Sequence, residues 1–460
     1  MRRKTCRRWT ERGLALSWRA LALGLALAAG RAAADDWQPP LDDALKQAAV
    51  RHAPILVEFH APWCYSCYYM ERDVLNGPEW DKVKRNSVVV DLDADSPEGA
   101  YWQKRLSVQG MPGYVVLNEN GDELGRIHVE QTRSEFYRQL DAIFDRATSL
   151  QDLAKRVRDG GAASLRAARE VLKCYHERGD AAGGLGWVAA LPAPTRAALE
   201  ADPHAQLWIG RLKLMAAAQA KDQAQCAALA PAVLAGELGC DLPYELERAM
   251  SCTAALPSSE QARLFAREKP AMTRLLYARV FVSSPSCADA RSAVLVTADL
   301  DRTLGYPQAE ADILERAIAD AGRRLDDGFT RLQDLKPRDL RKNRNLADNL
   351  RRYLERAGRT DELDLLYPKL IAAFPEDYVY PFRLGRSLVE RGQYAQALVY
   401  LQQAAPRAYG SNRLAVATQQ VQALLRLGRA DDARQVVADA LKANGPWFPD
   451  DAARLKAMVD

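Results

Sequence analysis

The chain has 460 residues, 48% of them hydrophobic, which is enough for two to four domains with sizeable cores and excludes global disorder. Lys and Arg number 64 against 60 Asp and Glu, a formal charge of +4. The excess sits at the start: residues 1–34 hold eight basic side chains and one acidic, so the rest carries about −3 and gives no electrostatic case for nucleic-acid binding.

Residues 1–34 have the layout of a secretory signal peptide. A basic start (Arg2 to Arg12) precedes the apolar run Ala20 to Ala29, and Ala32 to Ala34 offer a small-residue cleavage site. The run is shorter than the roughly 20 residues a membrane span needs, although an uncleaved anchor is the alternative. Export places the remainder in a bacterial periplasm or an equivalent oxidising space, where disulfides persist.

From residue 41 the pattern alternates. "LDDALKQAAVRH" has helical spacing. "PILVEFH" (Pro54 to His60) is apolar and β-rich enough for a central strand. Helical spacing resumes from Cys64 to Leu75 and stops at "NGP". "SVVVDLDAD" reads as a second buried strand, "EGAYWQKRL" as a helix, and "YVVLNENGDELGRIHV" as two strands around a turn. "SEFYRQLDAIFDRA" closes the unit as an amphipathic helix. The order α-β-α-β-α-β-β-α predicts a compact α/β domain with a mixed sheet over residues 36–147.

Beyond residue 148 the signals are helical. Three C-terminal segments share a glycine followed five residues later by Leu or Ala: Gly358 and Leu363, Gly392 and Ala397, Gly428 and Ala433. Their spacings of 34 and 36 residues resemble tetratricopeptide repeats, although the opening tryptophan is missing. The expected division is a helical region over 148–343, repeat hairpins over 344–447 and a helix or tail over 448–460. Stacked hairpins make a curved solenoid with a surface for a protein partner.

"FHAPWCYSCYYM" (Phe59 to Met70) carries the chemistry, and three readings compete. A structural zinc site wants a second ligand pair, and no second CxxC exists; His52 and His60 stand at the wrong spacing. A structural Cys64–Cys67 disulfide closes a very small loop and stabilises little. A redox pair is favoured by context, because a strand followed by a short loop sets Cys64 at a helix start, where unpaired backbone N–H groups favour the thiolate. No metal or other cofactor is expected; the redox-active Cys64–Cys67 pair is the reactive group itself.

"VEFHAPWCYSC" resembles the active-site segment of the thioredoxin superfamily, and "VQGMPGYVVLNENGDELGRI" resembles its cis-proline strand and hairpin, 48 residues after Cys64. The likeness is nearest to the C-terminal thioredoxin-like domain of DsbD-type reductases and covers residues 36–146. It implies an exposed nucleophile at Cys64, a buried resolving thiol at Cys67, a shielding Trp63 and a proton-shuttling acid at Glu58. It also implies a cis Pro112, with Met111 offering its backbone to a substrate strand. Tyr65, inside the motif, is expected at the substrate surface. Tyr65-Ser66 is neither thioredoxin's Gly-Pro nor the oxidase-type Pro-His, which points to a reducing or intermediate potential. Tyr68 and Tyr69 pack or fill a partner groove.

Among the remaining cysteines, Cys240 and Cys252 are spaced for a bridge. Cys174, Cys226 and Cys287 read as small buried apolar residues. Two functions fit. The first is an exported thiol–disulfide oxidoreductase whose repeats bind the client protein; if it reduces, a membrane electron donor is implied. The second is a cell-envelope scaffold acting through its repeats, with the CxxC as a regulatory switch or copper-binding pair.

Overall fold

The computed structural model describes residues 41–146, 148–159 and 164–460. The proposed signal peptide therefore lies outside the described residues.

The apolar run Ile55–His60 forms β1, an interior strand of a four-stranded sheet with order β2-β1-β3-β4. β2 (Val88–Asp93) pairs with it in parallel, with Glu58 opposite Asp91. Parallel neighbours need a crossover, and the chain supplies one through α2 (Tyr65–Tyr69), a π-helical turn (Met70–Val74) and α3 (Gly77–Asn86). On the other side β3 (Gly113–Leu117) runs antiparallel, with Glu58 opposite Tyr114, and β4 (Glu123–His128) completes a hairpin with β3. Helix α1 (Leu41–Arg51) precedes the sheet, α4 (Pro97–Arg105) follows β2, and α5 (Arg133–Phe144) follows β4.

Two details differ from the sequence reading. The helix after Cys64 is α-helical only to Tyr69 and then winds as a π turn. The "NGP" stop is also a start: Asn76 is the N-cap, Gly77 adopts φ +70°, and Pro78 sits in the first turn of α3.

Alternation along β1 assigns its side chains to two layers. Ile55, Val57 and Phe59 join Leu41, Val90 and Val115 on one face. Leu56 joins Met70, Tyr114, Phe136 and Leu140 on the other. Glu58, two residues on from Leu56, shares this second face with Tyr114.

All regular elements among the described residues beyond 148 are helices. Gly358, Gly392 and Gly428 have φ of +68°, +75° and +73°, a conformation that favours glycine, and each closes one helical hairpin. The pairs are Arg344–Arg356 with Thr360–Ala373, Val379–Glu390 with Tyr394–Ala404, and Gly410–Arg426 with Ala430–Asn444. Inside the second hairpin a Cβ on Gly385 would lie 2.6 Å from Leu401 Cγ, so glycine permits the close approach. One continuous apolar cluster runs from Leu214 to Leu455, across residue 343 without a break.

The disulfides correct the sequence reading. Cys240 and Cys252 are not joined; the bridges are Cys226–Cys252 and Cys240–Cys287. Helix Leu242–Cys252 keeps the expected pair apart. Eleven helical residues rise about 16 Å, well beyond the roughly 7 Å that a disulfide spans between Cα atoms. Cys226 and Cys287 are thus bridged rather than simply packed, while Cys174 is a free, buried thiol.

Candidate redox site

Strand β1 delivers the chain through Ala61-Pro62-Trp63 to the start of α2. Cys64 is the N-cap residue, and its Sγ accepts the Cys67 backbone N–H at 3.1 Å. The two cysteines form a disulfide with their Cα atoms 5.3 Å apart. The Met111–Pro112 peptide, leading into β3, is cis. Ala61 and the partly buried Met111 pack with the two cysteines.

Glu58 lies on the face of β1 that carries Leu56, opposite Tyr114. Tyr114 Oη donates to its Oε1 at 3.4 Å. Burial, reinforced by the Asp91 charge, pushes the Glu58 carboxyl up to about 8. His60 opposes that rise. Burial disfavours the His60 cation, but the Asp91 carboxylate at 3.0 Å prevails and holds the imidazole up at about 9. An acid near pH 8 can take up and return a proton in the working range.

Trp63 is 38% exposed, and its indole Nε1 donates to Asp95 Oδ2 at 2.8 Å. Asp95, just past the C-terminal end of β2, is buried. Burial and the Asp93 charge raise it to about 6, against hydrogen bonds from Asn412, Trp63 and Ser411. Sequence reasoning missed Asp95; carboxylates in "DLDAD", at the carboxyl end of a parallel strand, were the available signal.

The larger difference concerns exposure. The resemblance implies an exposed Cys64, but Cys64 is 3% and Cys67 6% accessible. The helical region covers them. Asn345 Nδ2 donates to the Tyr65 carbonyl at 3.0 Å, and Arg344 Nη2 to that of Pro62 at 3.4 Å. Arg383 Nη2 reaches the Trp63 carbonyl at 3.5 Å, and Arg291 Nη2 reaches Ser66 Oγ at 3.3 Å. The Tyr65 ring has the guanidiniums of Arg291 and Arg383 at 4.6 and 4.4 Å; Arg344 lies 4.0 Å from the Tyr68 ring. Tyr409 donates to Asp93 and Ser411 to Asp95. Gly410 lies so close that a Cβ there would fall 1.8 Å from the Asp95 carbonyl oxygen. Tyr65, expected at the substrate surface, is accordingly buried.

Glu130 is a further buried acid. Asn345 Nδ2 lies 3.5 Å from its Oε2. Burial and the Asp289 charge hold its carboxyl well above the ordinary range, against Arg291 and hydrogen bonds from Ser66 and Asn345. Asp348, fully buried, is the counterion of Arg351, Arg383 and Arg291 at 2.8, 2.9 and 3.5 Å. Arg344 pairs with Asp377. Among the described residues no group of three or more His, Cys, Asp or Glu side chains is placed to hold a metal ion. No described helix is long and apolar enough to cross a membrane.

The Thioredoxin-like family model matches residues 36–119. These residues form a thioredoxin-like domain. Over 85 residues the chain is 31% identical to the thiol:disulfide interchange protein DsbD of Klebsiella pneumoniae, covering 18% of this chain and 14% of that protein. Over 91 residues it is 30% identical to the chloroplastic thioredoxin-like protein HCF164 of Arabidopsis thaliana, covering 19% and 31%. A thioredoxin from Thermus thermophilus is 30% identical over 23% of this chain and 85% of its own, at a TM-score of 0.22. The chain thus spans about a seventh of the DsbD proteins it matches.

Proposed function

We propose that the protein is an exported, periplasmic thiol–disulfide oxidoreductase of the reducing type, acting on protein clients. The observation that carries the reading is the Cys64–Cys67 pair at the start of α2, with Met111 of the cis Met111–Pro112 peptide packed against the cysteines and the raised carboxyl of Glu58 on the strand that leads to them. In the reduced enzyme the Cys64 thiolate attacks one sulfur of a client disulfide. A mixed disulfide forms, and the client's other sulfur leaves as a thiolate and takes a proton. Cys67 then gives its proton to ionised Glu58 and attacks the Cys64 sulfur. The client sulfur bound to Cys64 leaves in turn as a thiolate and is protonated. The client has then gained two electrons and two protons, and the Cys64–Cys67 disulfide is regenerated. The Cys67 backbone N–H at Cys64 Sγ favours the attacking thiolate. Trp63 shields the pair, Met111 supplies a substrate contact, and Tyr65 does so only when the helical cover over its ring is displaced.

A dithiol donor, across or in the membrane, must restore the reduced state. The signal-like start and the two further disulfides support an oxidising compartment. The repeats support binding of a protein partner. Titration of the Cys64–Cys67 pair in glutathione buffers tests the reading. A potential near roughly −270 mV marks a reductase, and one near roughly −120 mV an oxidant. Cys64→Ser should abolish exchange and Cys67→Ser should accumulate the client mixed disulfide; retained turnover in Cys64→Ser refutes the assignment. The burial of Cys64 favours a second reading, a cell-envelope scaffold that acts through its repeats and not through the pair; absence of any reversible titration selects it.

A further inference from the structure

The part of the thioredoxin-like domain that a client disulfide must reach is already occupied, and the chemistry of its occupant is specific. Three guanidiniums from three helices, Arg291, Arg344 and Arg383, meet the redox loop. What they meet is a set of acceptors. The carbonyls of Pro62 and Trp63 face N–H donors, and the rings of Tyr65 and Tyr68 present their electron-rich faces to cations. Asp93 and Asp95 extend the acceptor surface beyond the loop and receive Tyr409 and Ser411. Asp377 and Asp348 balance the three arginines inside the helical region. Their contribution to the redox face is therefore oriented donors and ring-stacked cations rather than unpaired charge.

We infer that the redox face recognises cationic, arginine-bearing segments. The helical region supplies that segment in this structure, and a protein client gains Cys64 by displacing it with a basic segment flanking its own disulfide. The inference rests on the oxidoreductase reading and adds the client's chemistry. It accounts for a nucleophile only 3% accessible in a domain built for exchange. It also names the seam that opens, between the redox loop and the helices beginning at Arg344 and Gly410.

The test uses the full chain and two synthetic peptides of equal length. Each carries one intramolecular disulfide, flanked by arginines in one and by glutamates in the other. Reduction by the pre-reduced protein is divided by reduction of the same peptide by dithiothreitol, which removes the intrinsic effect of flanking charge. The arginine peptide should be reduced at least about tenfold faster, the equivalent of about 1.4 kcal/mol. Raising the salt should shrink that advantage. Gly410→Ala, which lies outside the exchange chemistry, should loosen the seam and accelerate reduction of both peptides, and reduction of Cys64–Cys67 by dithiothreitol with them. Arg383→Gln is the second variant should Gly410→Ala fold poorly. Equal rates for the two peptides, or a faster glutamate peptide, overturn the inference while leaving the oxidoreductase reading intact. A pair that dithiothreitol cannot cycle overturns both.

Discussion

Replacing Glu58 by Gln should stabilise the oxidised protein, and only at neutral to alkaline pH. The Glu58 carboxyl is held at about 8 against an ordinary 4.5, chiefly by burial. A folded-state value above the unfolded one means that the unfolded chain releases the proton first. Glu58 therefore costs nothing below about pH 4.5, and the cost grows as pH rises towards 8. The shift corresponds to roughly 5 kcal/mol at pH 9 as an upper value. Gln keeps a carbonyl acceptor for the Tyr114 hydroxyl and never ionises. Denaturant unfolding of both oxidised proteins, followed by tryptophan fluorescence, should give coincident midpoints at about pH 4. At about pH 9 the midpoint of the Glu58→Gln variant should lie well above that of the wild type. A gap independent of pH, or a variant less stable under the alkaline condition, would refute a buried neutral acid.

Other perturbations have separate readouts. Trp63→Phe removes the indole donor from buried Asp95; the loss of about 1–2 kcal/mol should appear in unfolding, and the Asp95 carboxyl should titrate above its present value of about 6, read by carbon NMR. Cys287→Ser opens a bridge spanning 47 residues. Loop closure alone predicts a loss of about 4 kcal/mol, measured by denaturation, with the Cys64–Cys67 potential unchanged. Gly385→Ala pushes a methyl into Leu401 and should cost about 1–3 kcal/mol in the same assay.

What the sequence made legible was local. Strand β1 carries its own apolar signal, the CxxC follows at fixed distance, and Gly358, Gly392 and Gly428 mark hairpin turns because a left-handed residue closes each of them. Glu58 entered only through the resemblance, and in the structure strand alternation sets it on the face shared with Leu56 and Tyr114. What stayed hidden was long-range. Asn345 meets Tyr65 across 280 residues, and Arg383 meets Trp63 across 320. No periodicity encodes such a meeting, so Cys64 reads as exposed until the helices are in place. Disulfide pairing failed for a related reason. Nearness along the chain suggested Cys240 with Cys252, but the rigid helix between them decides against it.

Asp348 bears on how this molecule can be taken apart. Its carboxylate is wholly enclosed, and its three arginine partners come from helices Ala290–Thr303, Arg344–Arg356 and Val379–Glu390. A solenoid of interchangeable units can be shortened from its end one unit at a time. Here, truncation before Val379 would strip Arg383 from an enclosed anion and uncover Trp63 in the same cut. The second hairpin is keyed to its place, so a swapped or duplicated repeat would have to bring its own arginine to the same spot.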